Sequence, residues 1–454
     1  MDITQIVAAQ REFFMSGRTR PLEFRLDSLR KLQRALQQNE NKICEALRAD
    51  LNKTGFETYM TEIGIVLDEI RFHVKHLPRW VKNRRVRTPM SQFHASSFVS
   101  PEPYGVVLII SPWNYPLQLC LAPLLGAISA GNCAVIKPSA YAPATSRAVR
   151  ELIEGIFPPE YVAVVEGGRE ENSALLEQRF DYMFFTGSVA VGKVVMAAAA
   201  KNLTPVTLEL GGKSPVIIDE TADLKLAARR VAFGKVLNAG QTCVAPDYLL
   251  IQEGLRDAFI SEYQNTLKDF FPDGDMGDMP VIVNEKHFRR LLGLMEGERA
   301  AIGGAYDESR RFIEPTVLVD ITPESPIMQE EIFGPILPVL TFKHIDEAIS
   351  FVRSREKPLA FYLFTGSRET IKRALDECSF GGGCINDTII HLATPHMGFG
   401  GVGNSGMGSY HGKKSFDTFT HYRSIVNKYN WIDMKMRYHP YTDKNFKLIR
   451  MFLK

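Results

Sequence analysis

"GVVLIISPWNYPLQLCLAPLLGAISAGNCAVIKPS", residues 105–139, decides the architecture. Its opening, "GVVLII" (105–110), is a continuous apolar run, the pattern of a strand buried on both faces. A helix of small residues follows, "LCLAPLLGAISAG", and "NCAVIKPS" then supplies another strand. Downstream the alternation continues with helix "ATSRAVRELIEGIF", strand "YVAVVEG", helix "ENSALLEQ", strand "YMFFTGS", helix "VAVGKVVMAAAAKN" and strand "TPVTLEL". Strands alternating with helices predict a parallel, doubly wound sheet.

"GGKSP" (211–215) reads as a junction, after which the pattern restarts: "PVIID", a helix through Leu237, "DYLLIQ", and a helix from Leu255 to Phe270. "FPDGDMGDMP" (271–280) is loop, rich in Gly, Pro and Asp. "TVLVDI", "ILPVLTF", "IDEAISFVRSRE", "LAFYLFTG", "ETIKRALDE" and "GGGCIND" complete a second α/β unit, and 393–412 reads as glycine-rich loop. Upstream, Leu29, Leu32, Leu36, Ile43 and Leu47 form one helical stripe within 22–49, and 56–81 continues in helical style. Residues 82–104, basic and broken by prolines, predict an extended arm. The expected fold is therefore α/β, with two doubly wound domains and an arm.

A chain of 454 residues exceeds one compact core. A net charge of +2 gives no footprint for nucleic acid. The cysteines, at 44, 120, 133, 243, 378 and 384, contain no CxxC pair and no metal-binding spacing, so they read as reduced thiols of a cytoplasmic protein. The N-terminus is polar from its second residue, unlike a secretory signal, and no run of 18 apolar residues exists. The closing "KNFKLIRMFLK" spaces Lys444, Lys447, Arg450 and Lys454 along one helical face. So short a segment is expected to pack on a partner subunit or fray rather than hold a membrane.

Ligands of a doubly wound sheet bind beyond the carboxyl ends of its strands. In "FFTGSVAVG", Gly187 and Gly192 frame a turn into a helix whose free N–H groups suit phosphate. With Lys193 the stretch approaches a P-loop, but Val194 stands where the magnesium-binding hydroxyl belongs. Lys137, at a strand end, is either a ribose donor or a solvated lysine. Asn114 in "SPWNYPL" is either an oxyanion donor or a turn asparagine. Glu209 in "LELGG" is either a general base with a raised pKa or a buried acid paired with arginine. Cys243 follows the polar loop "NAGQT", where a thiol can be exposed. It is either a nucleophile, which requires an electropositive setting, or a small hydrophobe.

Taken together, "SPWNYPL", "GNCAVIKPS", "FFTGS", "LELGGKSP", "NAGQTC" and "EEIFGP" resemble the aldehyde dehydrogenase superfamily in order and spacing, from about residue 60 to 425. "GFGGVGNSGMGSYHGKKSFDTFTH" (398–421) is similar to its class 3 branch. The resemblance implies that Cys243 is the nucleophile, Glu209 the general base and Asn114 the oxyanion-hole amide. It implies a dinucleotide held by Pro112, Trp113, Lys137, Gly187, Ser188, Gly192, Leu210, Glu331 and Phe333. Tyr115, Phe233 and Thr242 flank this centre and are expected to line an apolar pocket. The implied division is a dinucleotide-binding domain over 1–81 and 105–209, a catalytic domain over 210–392, and oligomerisation segments at 82–104 and 420–445.

The implied reaction is NAD- or NADP-dependent oxidation of medium- or long-chain aliphatic or aromatic aldehydes by a homodimer, without a metal. One departure bears on the cofactor. Many NAD-preferring relatives carry a glutamate three residues after the ribose lysine; here Ala140 stands there, so a 2′-phosphate meets no carboxylate. Competing readings are a coenzyme A-acylating dehydrogenase, which generally lacks the base at Glu209, and a P-loop-like nucleotide-binding protein, disfavoured by Val194.

Overall fold

The computed structural model describes residues 2–453. The run that opens the sequence reading forms the strand Val106–Ile110, wholly buried, at the centre of a six-stranded sheet. In spatial order that sheet is Gly406–Met407, Val206–Glu209, Tyr182–Thr186, Val106–Ile110, Cys133–Lys137 and Val162–Val164. All but Gly406–Met407 run parallel. Removing each of these Val, Ile and Phe side chains from water contributes about 1.5–3 kcal/mol. The helix Gln118–Ala130 is buried on every side. Its small residues permit this: a Cβ on Gly126 would stand 2.7 Å from the Ser415 carbonyl of the helix Lys413–Thr418.

Parallel register puts the carboxyl ends of these strands along one edge. Ile110 pairs with Lys137 and Phe185, and Thr186 pairs with Glu209. Pro112, Trp113, Asn114, Gly187, Ser188 and Leu210 follow directly at that edge.

The second sheet has seven strands, in the order Arg299–Ile302, Thr316–Val319, Ile336–Phe342, Tyr248–Gln252, Pro215–Ile218, Ala360–Phe364 and Gly382–Ile385. Only Arg299–Ile302 is antiparallel. Here the site comes from the loops entering the strands: Cys243 precedes Tyr248, and Glu331 and Phe333 precede Ile336.

Residues 82–104 do form an arm: Arg84–Val86 and Ala95–Pro103 join Thr420–Lys428 in an antiparallel three-stranded sheet. Some details differ from the sequence reading. The stretch 393–412, read as loop throughout, contributes Gly406–Met407, whose pairing caps the edge strand Val206–Glu209. Residues 281–315 hold the helix Glu285–Met295, the antiparallel edge strand and the small hairpin Tyr306–Asp307 with Phe312–Ile313, none of which the alternation announced. The basic tail forms the helix Asp443–Phe452; Lys454, counted on its charged face, lies outside the described residues. No helix among the described residues is long and apolar enough to cross a membrane.

Candidate active site

Cys243 reaches its position through a strained elbow. After the helix Leu224–Val236, Asn238, Ala239 and Gly240 take φ values of 51°, 51° and 70°. Left-handed backbone costs a non-glycine residue about 1–2 kcal/mol. Fixed hydrogen bonds offset that cost. The Asn238 N–H donates to Glu57 Oε1 (2.8 Å), and its Nδ2 donates to the carbonyls of Asn114 (2.8 Å) and Gln241 (3.0 Å). Gln241 donates to the Val281 carbonyl (3.0 Å) and accepts from the Val283 N–H (3.0 Å). Gly240 has no substitute, because a Cβ there would lie 2.2 Å from the Gly334 carbonyl.

Beyond the elbow, Cys243 opens on a cavity of about 190 Å³. Tyr115, Phe233 and Thr242 line it, and the Tyr115 and Thr242 hydroxyls lie 2.6 Å apart. Much of the remaining wall comes from distant segments that sequence reasoning missed: Met60 and Ile65 near the N-terminus, Ile389 to Ala393 excluding His391, and Tyr410. Nothing local marks them, since only the tertiary fold brings them together.

Among the described residues no lysine, arginine or histidine acts on the Cys243 thiol; burial outweighs its own N–H and that of Val244, which favour the thiolate. Cys243 is only partly exposed, and desolvation pushes its thiol up to about 12; Glu331 and Glu209 act in the same direction. The thiol that follows the polar loop is partly exposed, whereas "NAGQT" itself is buried.

Asn114 and Glu209 are not among the residues that line the cavity. Asn114 is buried and donates one amide hydrogen to the Gln241 carbonyl (3.0 Å), while its Oδ1 has no partner. Glu209 is buried with both carboxylate oxygens unpartnered, and burial holds its carboxyl well above the usual range. Among the described residues no arginine pairs with it, so the buried-pair alternative is not what the fold builds.

The remaining residues gather at the strand edge and the facing loops. Lys137 is not a solvated lysine: it is buried, donates to the Pro138 carbonyl (2.8 Å), and burial lowers its pKa. Ser188 caps the helix Val189–Ala200, accepting from the Val191 N–H. Gly192 lets Leu210 pack closely, since a Cβ there would meet Leu210 Cδ2 at 2.7 Å. Val194 lies exposed and brings no hydroxyl to the P-loop position.

Glu331 has an unpartnered Oε1 and is pushed up to about 8 by burial, with Asp247 adding to the effect. A Cβ on Gly211 would meet its Oε2 at 2.1 Å, so the glycine is what admits the carboxylate. Phe333, at φ 53°, sets its ring edge-on to Trp113, with centroids 5.3 Å apart. Residues not singled out from the sequence hold this loop. Arg290 donates to the Ile332 carbonyl (2.6 Å) and the Glu331 carbonyl (3.2 Å). Asp247 accepts from the Ile332 N–H (2.9 Å) and pairs with Lys213.

Residues 1–425 match the model of the aldehyde dehydrogenase family. The chain is 50% identical over 446 residues to 4,4'-diaponeurosporen-aldehyde dehydrogenase of Staphylococcus aureus, covering 97% of each chain. It is 46% identical over 427 residues to "Aldehyde dehydrogenase, dimeric NADP-preferring" of Mus musculus, covering 94% of each. A solved structure described as the substrate-bound state of Staphylococcus aureus AldH superposes with a TM-score of 0.98 at 49% identity over the whole of both chains. The chain belongs to the aldehyde dehydrogenase family, and it is an oxidoreductase.

Proposed function

We propose that this chain oxidises medium- or long-chain aliphatic or aromatic aldehydes to carboxylic acids, with NAD or NADP as acceptor. One observation carries the reading: Cys243 faces an apolar cavity while a buried carboxylate with free oxygens, Glu209, stands close enough to act on its charge.

The Cys243 thiol gives up its proton to water, and the sulfur adds to the aldehyde carbonyl. The uncommitted amide hydrogen of Asn114 and the Cys243 N–H would donate to the oxyanion of the thiohemiacetal, the kind of stabilisation that is usually the largest single contribution to such a step. When bound, the nicotinamide supplies the hydride acceptor. Glu209 accepts a proton from the water that cleaves the ensuing thioester on Cys243. A carboxyl held above its usual range is a stronger base once ionised, suited to that step.

The strand edge fits a dinucleotide. The helix at Ser188 offers N–H groups to phosphate, with Gly187, Gly192 and Leu210 setting the close approach. Lys137 has ammonium hydrogens to spare for ribose, and Glu331 Oε1, buried and without a partner, is a ready acceptor for a second ribose. Pro112, Trp113 and Phe333 would flank the ring. On this reading 1–81 with 105–209 is the dinucleotide-binding domain and 210–392 the catalytic domain. Segments 82–104 and 420–445 pair subunits into a homodimer, for which exposed Tyr422, Val426 and Trp431 offer an apolar surface. Six unpaired cysteines suit the cytoplasm.

The test is formation of reduced nicotinamide across aldehydes of graded chain length, with both dinucleotides, and product analysis with and without coenzyme A. Free carboxylate irrespective of coenzyme A is expected. An acyl-coenzyme A product, or no turnover with any aldehyde, would refute the proposal.

A further inference from the structure

Behind the site lies an ion pair that the reaction scheme does not use. Lys53 Nζ and Glu62 Oε1 are 2.6 Å apart, and both side chains are fully excluded from solvent. Burying two charges is costly, and an apolar pair of like volume often serves stability as well or better. Stability alone is therefore a poor account of this pair. Its remaining bonds converge on one turn. Lys53 donates to the Asn114 carbonyl (3.0 Å), and its ammonium sits 4.1 Å from the centre of the Tyr115 ring. Glu62 Oε2 accepts from the N–H groups of Leu117 (2.8 Å) and Gln118 (3.2 Å). The Asn114 carbonyl is thus gripped by Lys53 and by Asn238 Nδ2, which leaves its side-chain amide pinned to the Gln241 carbonyl. Through its hydroxyl, Tyr115 touches Thr242, the neighbour of Cys243.

We propose that Lys53 and Glu62 are positioning residues for the oxidation, fixing the Asn114 amide at the point where the oxyanion forms. This rests on the role assigned to Asn114 above. Displacing a reacting group by about 1 Å can cost ~10²-fold in rate.

The test is a double-mutant cycle with Lys53→Met, Asn114→Ala and their combination, measuring kcat, KM and dinucleotide Kd. Lys53→Met is expected to lower kcat by about 10²-fold with dinucleotide Kd within about twofold, and to cost nothing further in the Asn114→Ala background. The same fractional loss in both backgrounds, or an unchanged kcat in folded Lys53→Met, would overturn the proposal. Should Lys53→Met not fold, Glu62→Gln, which keeps an oxygen facing the Leu117 N–H, carries the cycle with a loss of about tenfold expected and the same contrary results. A normal rate for Asn114→Ala alone would instead remove the reading of Asn114 itself, and is visible before Lys53 is altered.

Discussion

The thiol's titration is the sharpest consequence of the geometry. Burial moves Cys243 from an ordinary 9.0 to about 12, so at any pH below both values the thiolate fraction is smaller by about a thousandfold. Below its pKa that fraction grows tenfold per pH unit. Alkylation by iodoacetamide, which needs the thiolate, should therefore accelerate about tenfold per unit from pH 7 to 10 in the absence of dinucleotide, with no plateau. The acids do not change the sign. Glu331, pushed up to about 8 by burial, and Glu209, held above the usual carboxylate range, carry charge that disfavours the thiolate further as they ionise. Cys44 is the other partly exposed thiol and must be removed as Cys44→Ala, with modification read on the Cys243 peptide by mass spectrometry. A plateau with a midpoint below about pH 9 would refute the argument, because it would mean that a cation or an open solvent path stabilises the thiolate where enclosure predicts none.

Other consequences are simpler to state. Asn114→Ala should lower kcat/KM for aldehyde by about 10²–10³-fold without altering the alkylation rate of Cys243, since the amide acts on the oxyanion. Gly240→Ala should destabilise the protein by about 2–5 kcal/mol in denaturant unfolding, combining a left-handed φ with a 2.2 Å approach to the Gly334 carbonyl; a change under about 0.5 kcal/mol would contradict the elbow. Ala140 is exposed, so nothing fills the place of a ribose-binding carboxylate. The wild type should therefore turn over with NADP as well as NAD, and Ala140→Glu should lower kcat/KM for NADP about tenfold or more while sparing NAD.

What could be read in the sequence was what periodicity encodes. Strands such as Val106–Ile110 and Tyr182–Thr186 announced themselves because burial on both faces demands continuous apolar runs. The helix Glu285–Met295 is amphipathic, but the βα alternation that would announce it lapses around it. The residues of the site were legible as motifs; their surroundings were not. Nothing in "NAGQTC" shows that Asn238 and Ala239 adopt left-handed backbone, since neither is glycine and the bonds to Glu57 and Asn114 that hold them span long stretches of chain. For the same reason the thiol's enclosure, the missing partner of Glu209 and the buried Lys53–Glu62 pair came only from the fold. Titration depends on what tertiary packing brings near.

Aldehyde oxidation by this chain requires an acyl group on the sulfur of Cys243. Glu209→Gln, lacking the base that releases product, should be mixed with decanal and oxidised dinucleotide, quenched in acid and digested. The peptide bearing Cys243 should be acylated, gaining the mass of the aldehyde less two hydrogens, a gain absent when dinucleotide is omitted. An unmodified Cys243 peptide after reduced nicotinamide has formed, or an acyl group on another cysteine, would contradict it.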